Sequence, residues 1–298
     1  MRTTEKLTTG QAIAKSLVRN GVDTVFGIPG AHTYAFIDAL HECQDKIRFI
    51  VNRHEQGSGY MAFGYAKSTG KVGTFTCVPG PGVLNAGAAL CTAYGANAPV
   101  LCITGNIQSY NIGRGLGILH ELPDQLATLR GLTKWAERIN HPTQAPAVVG
   151  EAFKRLTTGR IRPVAIETPW DVFAQKAEVD LEVPMEVPPP PVPDPDGIAA
   201  AVALLKAAKN PMITVGGGAV HVRRAAAHHL HCALGRHLRA APEGVDVVVR
   251  QWIKIGVAAN ARIHQPAQQG IHRPPVRLAD NVPTGHFHAR ESAHHGRV

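Results

Sequence analysis

Five short apolar runs, at residues 23–28, 47–51, 72–78, 100–104 and 164–167, recur along the N-terminal part of the chain, most of them bounded by Gly or Pro. Between them lie segments with helical spacing, at 8–19, 31–43, from 55 onward, 82–94, 122–129 and 145–156. An unbroken apolar run of this length fits a strand covered on both faces, whereas a strand with one wet face would alternate. Strands of that kind separated by helices build βαβ crossovers, which are right-handed. The pattern predicts an α/β fold with a parallel sheet flanked by helices. Thr8 and Gln11 are spaced as a capping box for the first helix, and Asn20-Gly21 ends it.

The pattern changes after residue 170. Val187-Pro188-Pro189-Pro190-Pro191-Val192-Pro193-Asp194-Pro195-Asp196 reads as a semi-rigid linker. A helix over 197–209, a strand over 211–215 and the turn Gly216-Gly217-Gly218 then resemble the opening of a second α/β domain. From residue 219 on, eleven basic side chains face four acidic ones, which accounts for +7 of the chain's net +9. Eleven of the sixteen histidines lie there too. The expected organisation is therefore a domain over 1–175, a linker over 176–196, the start of a second domain over 197–220 and an irregular tail over 221–298. Arg-, Ala- and His-rich text without periodicity is the kind that GC-rich codons give out of frame. The chain is thus expected to be truncated or frame-shifted after about residue 220.

Other classes receive little support. The tail histidines have no Cys or acidic partner at ligand spacing, so no metal site is read there. The tail has few aromatics to stack on bases, which argues against nucleic acid. No apolar run reaches the length of a membrane span, and the first residues show no signal-peptide pattern. Cys43, Cys77, Cys91, Cys102 and Cys232 form no C-x-x-C pair and read as reduced thiols of a cytoplasmic protein.

Chemistry concentrates where strands meet helices. Asn52-Arg53-His54-Glu55-Gln56 follows the second apolar run and opens a helix carrying Gly57, Gly59 and Gly64. A glycine inside a helix costs about 1 kcal/mol against alanine, so three suggest close approach to the backbone. Glu55 is either an anion placed at a helix N-terminus or a ligand-contacting carboxylate at the end of a strand. Gly27-Ile28-Pro29-Gly30 ends the first run and serves as a tight turn. Val78-Pro79-Gly80-Pro81-Gly82 ends the third and leads into a helix; a phosphate site is its alternative reading. Asn85 is either a site contact or a residue of that helix's first turn. His120 lies in the loop His120-Glu121-Leu122-Pro123-Asp124 and reads as a surface histidine or a proton donor.

Taken together, Arg53-His54-Glu55-Gln56, Gly64-Tyr65-Ala66, Thr69-Gly70-Lys71 and the Gly80-Pro81-Gly82 turn with Asn85 resemble the pyrimidine-binding domain of thiamine diphosphate-dependent enzymes, closest to the acetolactate synthase group and related 2-oxo acid decarboxylases. The resemblance implies that Glu55 hydrogen-bonds N1′ of the cofactor's aminopyrimidine. It implies that Ile28, Pro29, Gly30, Gly80, Pro81, Gly82 and Asn85 contact the cofactor. It also places His120 where acetolactate synthases carry a glutamine near the substrate, which points away from acetolactate synthesis and toward the wider decarboxylase and carboligase class. In that family a further domain carries Gly-Asp-Gly, which binds Mg2+ and the diphosphate, and the site forms between two subunits. No Gly-Asp-Gly occurs in this sequence, so Mg2+ is expected only through a domain this chain lacks. The substrate would be a 2-oxo acid and the assembly a homo-oligomer through the pyrimidine domain, while FAD is left open. A different class of reading is a catalytically inactive fragment that acts through subunit association.

Overall fold

The structure, a computed structural model, describes residues 4–182, 189 and 192–209. The expected strand at 211–215, the Gly216–Gly218 turn, the basic tail and most of the proline run lie outside the described residues.

Strand β1 (Thr4–Thr8) passes directly into helix α1 (Thr9–Arg19) through the capping box. Thr8 Oγ1 accepts from Gln11 N at 3.0 Å, and Gln11 Oε1 accepts from Thr8 N at 2.9 Å. Then follow β2 (Thr24–Gly27), α2 (Tyr34–Glu42), β3 (Arg48–Val51), α3 (Glu55–Thr69), β4 (Gly73–Cys77) and α4 (Pro81–Gly95). The chain continues through β5 (Val100–Asn106), α5 (Gln125–Leu132), β6 (Trp135–Arg138), α6 (Ala145–Thr157), β7 (Val164–Pro169), the short α7 (Trp170–Ala174) and β8 (Lys176–Asp180).

Six strands form one sheet in the order β3-β2-β4-β5-β7-β6, every pair parallel. The central strands β4, β5 and β7 are buried along their whole length. Successive residues feed opposite faces, as a strand's period of two requires. Leu101, Ile103, Val164 and Ile166 pack with Ile13, Leu17, Phe36, Leu40, Val149 and Phe153 under α1, α2 and α6. Cys102 and Ala165 pack with Phe75, Cys77, Val83, Leu90 and Leu129 under α3, α4 and α5. The predicted α/β layering is therefore what the chain builds.

The expectation attached to the α3 glycines divides. At Gly59 a Cβ would lie 2.6 Å from Ala89 Cβ, so the close neighbour there is α4. At Gly64 nothing lies within 4 Å.

Three strands escaped the sequence reading. β6 (Trp-Ala-Glu-Arg) is an edge strand, and edges tolerate the charges of Glu137 and Arg138 that a central strand would not. β1 and β8 pair antiparallel, Thr4 opposite Asp180 and Thr8 opposite Lys176. The segment 176–180, expected to open the linker, is therefore ordered as a strand, because a partner more than 160 residues earlier satisfies its backbone. Its Ala177 and Val179 do alternate, but only Val179 is buried.

The chain divides into two units, Met1–Pro193 and Asp194–Val298. In the second, the described element is helix α8 (Pro195–Ala207), whose N-cap Asp194 accepts from the amides of Asp196 and Gly197.

Candidate functional site

Strand order reverses at β2, since the chain leaves it for β3 on one side and returns to β4 on the other. The carboxyl ends of β2 and β4 therefore open on a crevice, where doubly wound sheets bind their ligands. The two loops that leave them are packed together: a Cβ at Gly30 would lie 2.2 Å from Val78 Cγ1. From β3 the chain turns back through Asn52, whose amide donates to Gly27 O at 3.3 Å.

His54 caps α3, its Nδ1 accepting from Gln56 N at 3.1 Å. That leaves Glu55, the first helical residue, free of capping duty. Its half-buried carboxylate reaches across to α4, where Oε2 accepts from Asn85 Nδ2 at 3.0 Å. Gly82 lies beneath, where a Cβ would come within 3.6 Å of Glu55 Cγ and 2.8 Å of Val78 Cγ2. Thus Glu55, Gly82 and Asn85, read separately in the sequence, meet. Pro29 also lines a groove between α2 and β3 with Tyr34, Asp38, His41, Arg48 and Val51.

Gly80 holds a left-handed φ of 59°, and a Cβ there would lie 2.5 Å from His120 O. Its amide donates to Gln125 Oε1 at 2.8 Å, and Gly82 N donates to Pro79 O at 3.3 Å. With Gly80 N engaged by Gln125 and Gly82 N by Pro79 O, two of the amides that a phosphate cradle would use are already taken.

Gln125 is 1% exposed and was not singled out in the sequence. Its Nε2 donates to Gly105 O at 2.8 Å and to Glu167 Oε2 at 2.9 Å. Glu167 is fully buried on β7. It also accepts from Asn106 Nδ2 at 3.2 Å and pairs with the Arg138 guanidinium. This network anchors the Gly80 turn to β5 and β7. Its clearest sequence signal was a carboxylate at the end of the apolar run Val164-Ala165-Ile166, since a buried charge requires partners.

Among the described residues His120 is one of two non-glycine residues with positive φ, at 71°. Its Nδ1 lies 3.1 Å from Nδ1 of His32, a residue the sequence reading passed over. His32 sits on a 3-10 turn, Ala31–Thr33, and is 4% exposed. Burial, and secondarily the facing His120, hold its pKa below the ordinary histidine value. The β4 turn is thus flanked on one side by the Glu55–Asn85 pair, at Gly82, and on the other by the histidine pair, at Gly80. A carboxyl and an imidazole beside one glycine turn can supply and remove protons at a ligand held between them.

Comparison with known proteins agrees with this architecture. Residues 7–128 match the family model described as thiamine pyrophosphate enzyme, N-terminal TPP binding domain. A probable 2-ketoarginine decarboxylase of Pseudomonas aeruginosa is 39% identical over 221 residues, covering 74% of this chain and 39% of the relative. The acetolactate synthase large subunit of Corynebacterium glutamicum is 36% identical over 278 residues, covering 90% of this chain and so reaching beyond residue 220, and 41% of the relative. The mitochondrial acetolactate synthase catalytic subunit of Saccharomyces cerevisiae is 32% identical over 222 residues, 71% of this chain and 32% of the relative. The chain spans about two fifths or less of the length of these relatives. Residues 7–128 are thus an N-terminal TPP-binding domain of the thiamine pyrophosphate enzyme type.

Proposed function

We propose that this chain supplies the aminopyrimidine side of the cofactor site in an enzyme that decarboxylates a 2-oxo acid. The observation that carries the reading is the Glu55 carboxylate, oriented by Asn85 at the switch-point crevice, with His120 across the same turn. Thiamine diphosphate, the cofactor of this family, supplies when bound the electron sink for the carbanion left by loss of CO2.

The residues fit the pyrimidine end of such a group. Asn85 engages Oε2 of Glu55, and Oε1 is the oxygen left to meet a ring nitrogen. Glu55 then holds a proton at N1′. Ile28, Pro29 and Gly30 border the ring from the β2 loop. Gly80, Pro81 and Gly82 let the backbone come close, with Gly80 held in place by Gln125. His120 delivers a proton to the substrate side. Protonated release of the product needs such a donor, and an imidazole serves where a glutamine amide cannot. This favours decarboxylation, as the name of the Pseudomonas relative has it; carboligation, as in the acetolactate synthases, is the second reading.

We assign Mg2+ and the diphosphate to a second domain outside these 298 residues, since the sequence contains no Gly-Asp-Gly. Assembly is proposed as a homo-oligomer through the pyrimidine domain. A cytoplasmic location is supported by the free thiols of Cys43, Cys77, Cys91 and Cys102. Among the described residues no helix is long and apolar enough to cross a membrane.

The test is an amide NMR titration of the chain with thiamine. Shifts should concentrate at residues 28, 30, 55, 80 and 82–85, and Glu55→Gln should weaken the response severalfold. Shifts confined to other surfaces, or an unchanged response in Glu55→Gln, would sink the assignment.

A further inference from the structure

The buried partner of His120 has no part in the chemistry above. The two imidazoles meet edge to face, with ring centroids 4.8 Å apart at 70°. Trp170 covers His32 at 5.7 Å and 87°. Both histidines are seated on backbone. A Cβ at Gly105 would lie 2.5 Å from His32 O, and one at Gly80 would lie 2.5 Å from His120 O. Gln125 ties the two seats together, accepting from Gly80 N and donating to Gly105 O. The contact between the rings is therefore fixed by the strand ends and does not depend on two mobile side chains finding each other.

Two ring nitrogens at hydrogen-bond distance share one hydrogen, so one donates and the other accepts. The pair can carry one positive charge with this contact intact, but two would set donor against donor. His32 is the ring that stays neutral, because it is the more deeply buried. The titratable groups on the elements around it are engaged or turned elsewhere. Asp171 on α7 accepts from Ser109 N and Oγ. Glu42 on α2 accepts from Gln11, while Asp38 and His41 line the groove beside β3. Glu121, next to His120, accepts from the amides of Gly115 and Ile118.

We propose that His32 is a positioning residue that accepts at Nδ1 from His120 Nδ1–H and so makes His120 Nε2 the atom that takes and gives the proton. His32 keeps its own proton on Nε2. His120 keeps Nδ1–H in both charge states and exchanges only at Nε2, the nitrogen turned away from His32. Working histidines are commonly fixed this way by a carboxylate or a carbonyl; here the fixing group is a second, neutral imidazole. The use of that proton in decarboxylation rests on the function proposed above, but the tautomer does not.

The test is nitrogen-15 NMR of the full chain with labelled imidazoles at alkaline pH, with His32→Asn and His120→Asn assigning the resonances. His120 should show a protonated Nδ1 and a bare Nε2, and His32 the reverse. In His32→Leu the wide separation of the two His120 resonances should be lost as both tautomers are sampled. In His32→Asn, whose amide oxygen can stand where Nδ1 stood, it should persist. A bare Nδ1 on His120 in the unaltered chain, or an unchanged His120 in His32→Leu, would overturn the proposal. The unaltered chain decides the matter even if His32→Leu does not fold. If the signatures hold while His120→Gln, in an enzyme completed by the diphosphate-binding domain, leaves 2-oxo acid turnover unchanged, the catalytic use of His120 fails and its positioning by His32 stands.

Discussion

Replacing Gln125 by leucine tests whether the buried network holds the glycine turn. The two side chains are similar in size, so the change removes hydrogen bonds and leaves little cavity. Gly80 N–H loses its acceptor, and Gly80 is buried. Gly105 O keeps a 3.3 Å bond from Thr104 Oγ1 and suffers less. Glu167 keeps Arg138 and Asn106 but loses its third partner. An unpaired buried polar group costs about 1–3 kcal/mol, so one full loss and two partial ones come to about 2–4 kcal/mol. That is a large share of the roughly 5–15 kcal/mol by which a domain is stable. Urea unfolding followed by circular dichroism should show a lower midpoint with an unchanged slope. Gln125→Glu is the sharper control. It preserves an acceptor for Gly80 N but sets a second carboxylate where Nε2 now lies 2.9 Å from Glu167 Oε2. Like charges so close cannot both stay ionised cheaply. Gln125→Glu should therefore be worse than Gln125→Leu at neutral pH and recover as the pH falls far enough to protonate one of the pair. A Gln125→Leu protein within 1 kcal/mol of the original, as an order-of-magnitude bound, or a Gln125→Glu protein with no recovery, would refute the reasoning.

Gly64→Ala should raise stability by up to about 1 kcal/mol, because nothing lies within 4 Å of the added Cβ and the unfolded chain loses freedom; thermal melting reads it. Gly59→Ala in the same helix should lower stability by about 1–3 kcal/mol, since its Cβ would press on Ala89 at 2.6 Å. Gly80→Ala should lose at least about 2 kcal/mol from a left-handed φ of 59° joined to a backbone collision with His120 O, measured by the same melt. Asp23 is held at a pKa of about 2, first by the Lys71 ammonium and then by the Tyr65 hydroxyl. Its depressed folded value means that its contribution is present above the unfolded value of about 4 and lost as the pH falls toward about 2. The stability gap between the original and Asp23→Asn should close over that window, and solvent exposure of the pair should keep the gap under about 1 kcal/mol at neutral pH.

The elements that could be read from sequence were those whose pattern is local. Apolar runs such as Leu101-Cys102-Ile103 announce a strand because both of its faces are buried, and Gly or Pro at each end announces where it stops. β1, β6 and β8 lack that signature because each buries little, and their pairing is decided by residues far away. α5 was expected from residue 122 but begins at Gln125, where Asp124 accepts from Ala127 N and leaves Pro123 outside the helix.

The site follows the same division, and for the same reason. Glu55, Gly82 and Asn85 stand at strand-to-helix junctions, which is where a doubly wound sheet exposes backbone and side chains to a ligand. Their positions were therefore visible before their contacts were. His32, Gln125 and Glu167 act through partners 88, 45 and 42 residues away, and periodicity carries no information about such pairs. Yet each left a local trace that physical reasoning can use. Glu167 is a charge in a strand with no wet face. Gln125 stands at a buried position of an amphipathic helix where an apolar residue would be ordinary. His32 follows the Pro29-Gly30 turn and is buried against Trp170. A polar group in such a place needs a partner, and the partners available at the carboxyl edge of a parallel sheet are the other loops that end there. Reading each buried polar residue as a demand for a partner at that edge would have brought Gln125 to the Gly80 turn and His32 to His120.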